Sequence, residues 1–244
     1  MSDYRSNAQT RNQTQVGIDQ GLRSYMLKVY NYMGAGLVIT GAAAYGTYHA
    51  AVDAAGQLTP LGLALFTSPL KYLVIFAPLA MVLFLSFRVH RMSVAAAQAS
   101  FWIYAALVGV SLSSIGMIYA ASSITQVFFI TAATFATVSL YGYTTKRDLT
   151  GFGSFLIMGL IGLVIASIVN VFMQSSAMSF VLSAIGVLVF TGLTAWDTQK
   201  IKEVYYEGDD TATMGRKAIM GALNLYLDFI NLFLSLLRLF GSRD

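Results

Sequence analysis

Residues 221–241, GALNLYLDFINLFLSLLRLFG, are almost wholly apolar yet carry Asn224, Asp228, Asn231, Ser235 and Arg238. Their spacing of 4, 3, 4 and 3 residues sets all five on one face of an α-helix, with Leu, Phe, Ile and Tyr covering the rest. Such a stripe must face protein or water, because a carboxylate at the centre of a bilayer costs about 2.5–3.5 kcal/mol even on the mildest insertion scale. Of eleven acidic residues, nine lie in tails or loops; only Asp197 and Asp228 sit in or at the edge of a long apolar run. Two carboxylates brought together in a low-dielectric site cannot both ionise cheaply, so they titrate as a unit. Deprotonated, the pair would attract a hard cation such as Ca²⁺, which takes several oxygen ligands. Protonated, it would lose that affinity and could accept a different helix arrangement.

Each of these residues also has a purely structural reading. Asp197 follows FVLSAIGVLVFTGLTAW and by position alone is equally a solvated helix end. Asp228, with Asn224, Asn231 and Ser235, could form a polar seam that glues helices. Asn170 reads as a helix–helix hydrogen bond. Arg88 and Arg91, in LSFRVHRMS, are the available counter-charges for an ionised aspartate, and both also read as ordinary interfacial anchors. His90 beside them reads as solvated, and His49 has no partner visible in the sequence. Enzyme readings fail for want of motifs: no nucleophile has its base, and P-loop, dinucleotide and zinc patterns are absent. The chain has no cysteine, which excludes disulfides and thiolate metal sites.

The elements that position these residues follow from composition. The 244 residues are 57% apolar and 11% charged, with mean hydropathy +0.66, against about one-quarter charged in an ordinary soluble domain. This is an all-α polytopic membrane protein. Apolar runs long enough to cross about 30 Å of hydrocarbon fall at 26–48, 70–87, 99–121, 124–143, 152–173, 179–197 and 218–240, which makes seven transmembrane helices. Residues 1–23 read as a flexible polar cytoplasmic tail and 24–244 as a single membrane domain. The short connections ASSIT and QSSAMS predict antiparallel hairpins between spans three and four and between spans five and six. The mixed-charge stretch 200–217 reads as a solvated loop, with acidic spacing unlike an EF-hand.

Positive charge sets the orientation, because short cytoplasmic loops retain Lys and Arg. Twelve of fifteen fall on one side, together with the N-terminus; Lys71 falls on the other. Arg238 and Arg243 join Lys71 if the last segment crosses completely. A seventh segment that dips in and returns, or that breaks near its polar stripe inside the bundle, would repair this. The expected architecture is therefore six helices around a central, re-entrant or broken seventh. The net charge of +4 is spread over loops, so topology accounts for it and no nucleic-acid partner is implied.

YGYTTKRDLT at 141–150, AWDTQKIKEVYYEGDD at 195–210 and, most specifically, GALNLYLDFINLFLSLLRLFG resemble the Bax inhibitor-1 (transmembrane Bax inhibitor motif) family. The likeness covers the chain after its tail, and without a long basic C-terminal extension it resembles the bacterial inner-membrane members. The resemblance implies a seven-helix fold with the last helix central and a pH-sensitive Ca²⁺ leak, or Ca²⁺/H⁺ exchange, gated by paired aspartates that map onto Asp197 and Asp228. Those two would also be the metal ligands. An arginine near the end of span two would latch the closed state: the pattern FLSFR favours Arg88, and counting back from span three favours Arg91. No cofactor is implied beyond Ca²⁺ as the transported ion; the expected partners are the bilayer, Ca²⁺ and H⁺, with the chain a monomer. A reading of a different class is also implied. Some bacterial members bind and restrain a membrane-anchored ATP-dependent protease, where the tail 1–23 would matter more than the aspartates. A stress-response interaction protein would leave the polar seam purely structural.

Overall fold

The computed structural model describes the backbone of residues 2–243 and the side chains of residues 20–243. Among the described residues eight α-helices follow in order: α1 (Ser2–Ala51), α2 (Pro60–Phe66), α3 (Leu70–Arg88), α4 (Val94–Leu112), α5 (Ala121–Thr144), α6 (Thr150–Met173), α7 (Ser176–Glu203) and α8 (Thr211–Phe240). Helices α3 to α8 are each long and apolar enough to cross a membrane, so the chain is an integral membrane protein with six such helices. The first expected span, 26–48, lies within α1. There Gly34, Gly36, Gly41, Gly46, Tyr45 and Tyr48 dilute the apolar run, and among the described residues the count that meets the apolar standard is six, not seven. Most of the expected tail 1–23 lies outside the described side chains. The short α2 falls inside the expected loop 49–70, started by Thr59, whose hydroxyl accepts from Gly62 N, and by Pro60, whose missing N–H costs nothing in a first turn.

The last helix is the core of the molecule. Two-thirds of its apolar window, 67%, is buried, against 6% for α3 and for α6. It packs against α1, α4, α5 and α7. The Tyr226 ring meets Phe101 and Tyr104 of α4 at 5.8 and 5.6 Å, and Phe229 meets Phe128 and Phe135 of α5, both at 5.6 Å. The expected re-entry or break does not occur: α8 runs unbroken for 30 residues, about 45 Å. Its polar side chains explain why. Asn231 Nδ2 donates to Leu227 O at 2.8 Å and Ser235 Oγ to Asn231 O at 2.7 Å, so the stripe is partly satisfied on its own helix without unwinding it.

Connection length predicts only one of the two hairpins. Helices α6 and α7 pack side by side across a turn that Gln174 closes in the left-handed region (φ 50°), with Asn170 Nδ2 donating to Ser179 Oγ at 2.8 Å. Helices α4 and α5 do not pack as a hairpin; α4 rests on α1 and α3, α5 on α7, and both on α8. The aromatic contacts above show the cause, since α8 is inserted between them. The C-terminus is tied to the connection it separates, with Ser242 N donating to Ser123 Oγ and Ala120 N to Ser242 O. The stretch 200–217 is mostly helix, not loop: α7 continues to Glu203, and Asp210 starts α8 by accepting from Ala212 N and Thr213 N.

Candidate functional site

Two well-anchored neighbours aim Asp197. Thr198 shares a hydrogen bond with Ser139 of α5 at 2.9 Å, and Ser139 meets the Tyr30 hydroxyl of α1 at 2.5 Å. Gln199 holds the α5–α6 connection, accepting from Leu149 N and donating to Arg147 O, each at 2.8 Å. Successive helical residues are about 100° apart. With 198 and 199 committed to one side, Asp197 and Lys200 project from the opposite side of α7.

The same logic orients α8. Tyr226 hydrogen-bonds Thr40 of α1 at 2.6 Å, and Phe229 is buried against α5. The opposite face, bearing Asn224, Asp228, Asn231, Ser235 and Arg238, lines a groove of about 640 Å³. From Asn224 to Arg238 is 14 residues, so this polar lane is about 21 Å long. Trp196, Asp197 and Lys200 of α7 line it too, and Leu160, Val164 and Ser167 of α6 form the far wall. Toward the Arg238 end of the lane Gly186 of α7 lets Ser235 approach so closely that an added Cβ would lie 2.6 Å from its Oγ. A second hollow, of about 710 Å³, lies along residues 20–32 of α1, and among the described residues its lining comes from that helix and includes no carboxylate.

Asp197 is 9% exposed and Asp228 5%. The two carboxylates are direct neighbours in the groove, and two acceptors can share a hydrogen bond only through a proton that one of them carries. Among the described residues no protein donor hydrogen-bonds either group, and Asp228 Oδ2 is buried without a partner. The cation whose field reaches Asp197 is Lys200, one turn along the same helix, with its ammonium 4.7 Å from the centre of the Trp196 ring.

The structure therefore brings together Asp197, Asp228 and the whole stripe. It does not bring Arg88 or Arg91 to them. Both arginines are exposed around the buried Val89, neither lines the groove, and the one ion pair among the described residues is Lys217 with Asp209 in the α7–α8 connection. Sequence reading overlooked Lys200 because it belongs to a charge cluster that topology explains. Its position three residues after Asp197 was the available signal.

Chemically, two carboxylates offer up to four oxygens, and the Asn224 and Asn231 amides and the Ser235 hydroxyl add neutral oxygens along the same lane. That is fewer than the 6–8 oxygens of a full Ca²⁺ cage, and among the described residues no cluster of three metal-ligating side chains is present. Such a set suits brief coordination of a partly hydrated cation better than storage.

Residues 22–244 match the family model described as inhibitor of apoptosis-promoting Bax1. The chain is 47% identical over 243 residues to a protein of Rickettsia prowazekii, covering 100% of this chain and 99% of that one. It is 47% identical over 226 residues to the inner membrane protein YbhL of Escherichia coli, covering 91% and 93%. It is 39% identical over 226 residues to a membrane protein of Streptococcus pyogenes, covering 93% and 96%.

Proposed function

The chain belongs to the Bax inhibitor-1 family, and on that premise we propose that it is a Ca²⁺ leak or Ca²⁺/H⁺ exchanger of the bacterial inner membrane, gated by protonation of Asp197 and Asp228. One observation carries this reading. The two aspartates, from different helices, meet on the wall of a polar lane about 21 Å long, two-thirds of the roughly 30 Å that an ion must cross.

With the proton retained, the pair carries one negative charge and binds itself. Without it, two adjacent carboxylates repel each other and hold a divalent cation between them, and the ion's charge offsets that repulsion. Lys200 stands beside Asp197 and competes with the cation for it, which favours release over tight binding. The N-terminus lies in the cytoplasm on this reading, which puts Lys200 at the cytoplasmic mouth of the groove and Arg238 at the other.

The test is Ca²⁺ uptake by proteoliposomes of the full chain at several pH values, with Asp197→Asn and Asp228→Asn reconstituted equally. Flux whose pH dependence disappears in both variants supports the gate. Flux no greater than that of empty vesicles removes the transport reading.

A further inference from the structure

The groove is open along its side. Helix α6 packs along α7 and has little contact with α8, and its groove-lining Ile157, Val164 and Ile168 are 39%, 48% and 56% exposed. One wall is thus apolar and reachable from the hydrocarbon, while the facing wall carries two carboxylates, two amides and a hydroxyl. Polar groups turned toward hydrocarbon without partners are costly, so an occupant must satisfy both walls. Water or an ion leaves the apolar wall unpaired, and an acyl chain alone leaves the polar one.

The charges at the mouth specify the rest. Lys200 has no carboxylate within ion-pair distance among the described residues, and its ammonium rests over the Trp196 ring. One turn away, Asp197 and Asp228 lack any protein donor. A cation beside donor-starved carboxylates complements a headgroup with a phosphate next to an amine. The dimensions agree. Helix α6 begins at the end of the molecule where Gln199 holds Leu149, so Ile157 lies nearer the Lys200 mouth and Ile168 deeper. Those 11 residues rise about 16 Å, close to half of the roughly 30 Å hydrocarbon thickness, the depth of one leaflet.

We propose that the Lys200 mouth of this groove binds a membrane phospholipid bearing a primary amine, with its phosphate on Lys200, its ammonium on the Asp197–Asp228 pair and one acyl chain along α6. A quaternary ammonium has no N–H to give the carboxylates, so a choline headgroup binds less well. One charge-assisted hydrogen bond corresponds to a preference of about tenfold. The site stands whether or not ions pass, and its test has no flux readout.

The chain carries its own reporter, because Trp196 lines the groove and Trp102 is the one other tryptophan. A Trp102→Phe chain is reconstituted in phosphatidylcholine vesicles containing a minor fraction of phosphatidylethanolamine brominated on its acyl chain. Trp196 fluorescence is expected to be quenched well beyond the lipid's mole fraction, and equally brominated phosphatidylcholine or phosphatidylglycerol to quench only in proportion to theirs. Lys200→Gln should abolish the excess and Lys200→Arg restore it, while a Trp196→Phe chain, reporting from Trp102, shows bulk quenching only. Quenching that follows mole fraction for every headgroup, or an excess that survives Lys200→Gln, overturns the site. An excess shared equally by the glycerol headgroup overturns the role of the amine.

Discussion

Gly142→Ala measures how tightly the helix that carries Asp197 is braced. Gly142 of α5 lies flat against the α7 backbone at Ala195, two residues before Asp197. A Cβ there would meet the Ala195 carbonyl oxygen and sit 2.9 Å from both its C and Cα atoms. Backbone cannot rotate aside as a side chain can, so reaching an ordinary separation of 3.4 Å from that oxygen, the nearest atom, means moving the helices roughly 1.2 Å apart. Overpacking of this kind costs about 1–3 kcal/mol. The same displacement stretches the Ser139–Thr198 hydrogen bond, 2.9 Å long and one turn away, toward loss, adding about 0.5–1.5 kcal/mol. The sum, about 1.5–4.5 kcal/mol, corresponds to a fall in Tm of roughly 3–18 °C at 2–4 °C per kcal/mol. The assay is thermal unfolding in detergent, with Gly162→Ala as the control. Gly162 faces open space, and alanine there should hold or raise Tm through helix propensity worth up to about 1 kcal/mol. If Gly142→Ala melts at or above the native temperature, the α5–α7 contact is not what holds Asp197 in place.

Other consequences are as direct. Tyr226→Phe removes the 2.6 Å hydrogen bond to Thr40 while Thr40 keeps its 2.9 Å bond to Ala105 O, so a loss of about 0.5–1.5 kcal/mol is expected in the same melting assay. Asp210, outside the membrane at the start of α8, is held below the usual carboxylate range by the Thr213 hydroxyl, then by the Thr213 and Ala212 amides. A depressed folded pKa means that its contribution is present above its unfolded value of about 3.9 and is lost as pH falls through the lower folded value. Hydrogen-exchange protection of the first turn of α8 should therefore drop on acidification. Asp210→Ala should lose both the protection and its pH dependence, and Asp210→Asn should keep the protection without the dependence. Ser123→Ala should raise exchange at Ser242, whose N–H it leaves without its 2.9 Å acceptor.

The site was more legible in the sequence than its surroundings. Five polar residues at helical spacing define one face of α8 whatever packs there, because periodicity is a property of a single segment. The same holds for Asn170, whose hydrogen bond reaches only nine residues along the chain. What sequence pattern misplaced depends on elements distant in sequence. Two apolar helices joined by a short turn look like a hairpin, yet the aromatic rings of α8 part α4 from α5. A buried stripe looks like a reason to unwind, yet Asn231 and Ser235 bond back to their own helix. Arg88 and Arg91 are close to a span end in sequence, but only three-dimensional packing shows that both turn outward. Lys200 was hidden for the opposite reason, since a simple rule about loop charge already accounted for it.

On the proposed function, Asp197 and Asp228 act as one proton-linked gate on a cation route. The most direct measurement is Ca²⁺ entry into proteoliposomes of the full chain between about pH 6 and 8, comparing the native protein with Asp197→Asn, Asp228→Asn and the double variant, since coupled carboxylates titrate as a unit. A proton-linked gate predicts pH-dependent flux in the native chain and the same pH-insensitive behaviour in all three variants, because either substitution dissolves the pair. Native flux equal to that of empty vesicles, or a pH dependence that survives in either single variant, contradicts it.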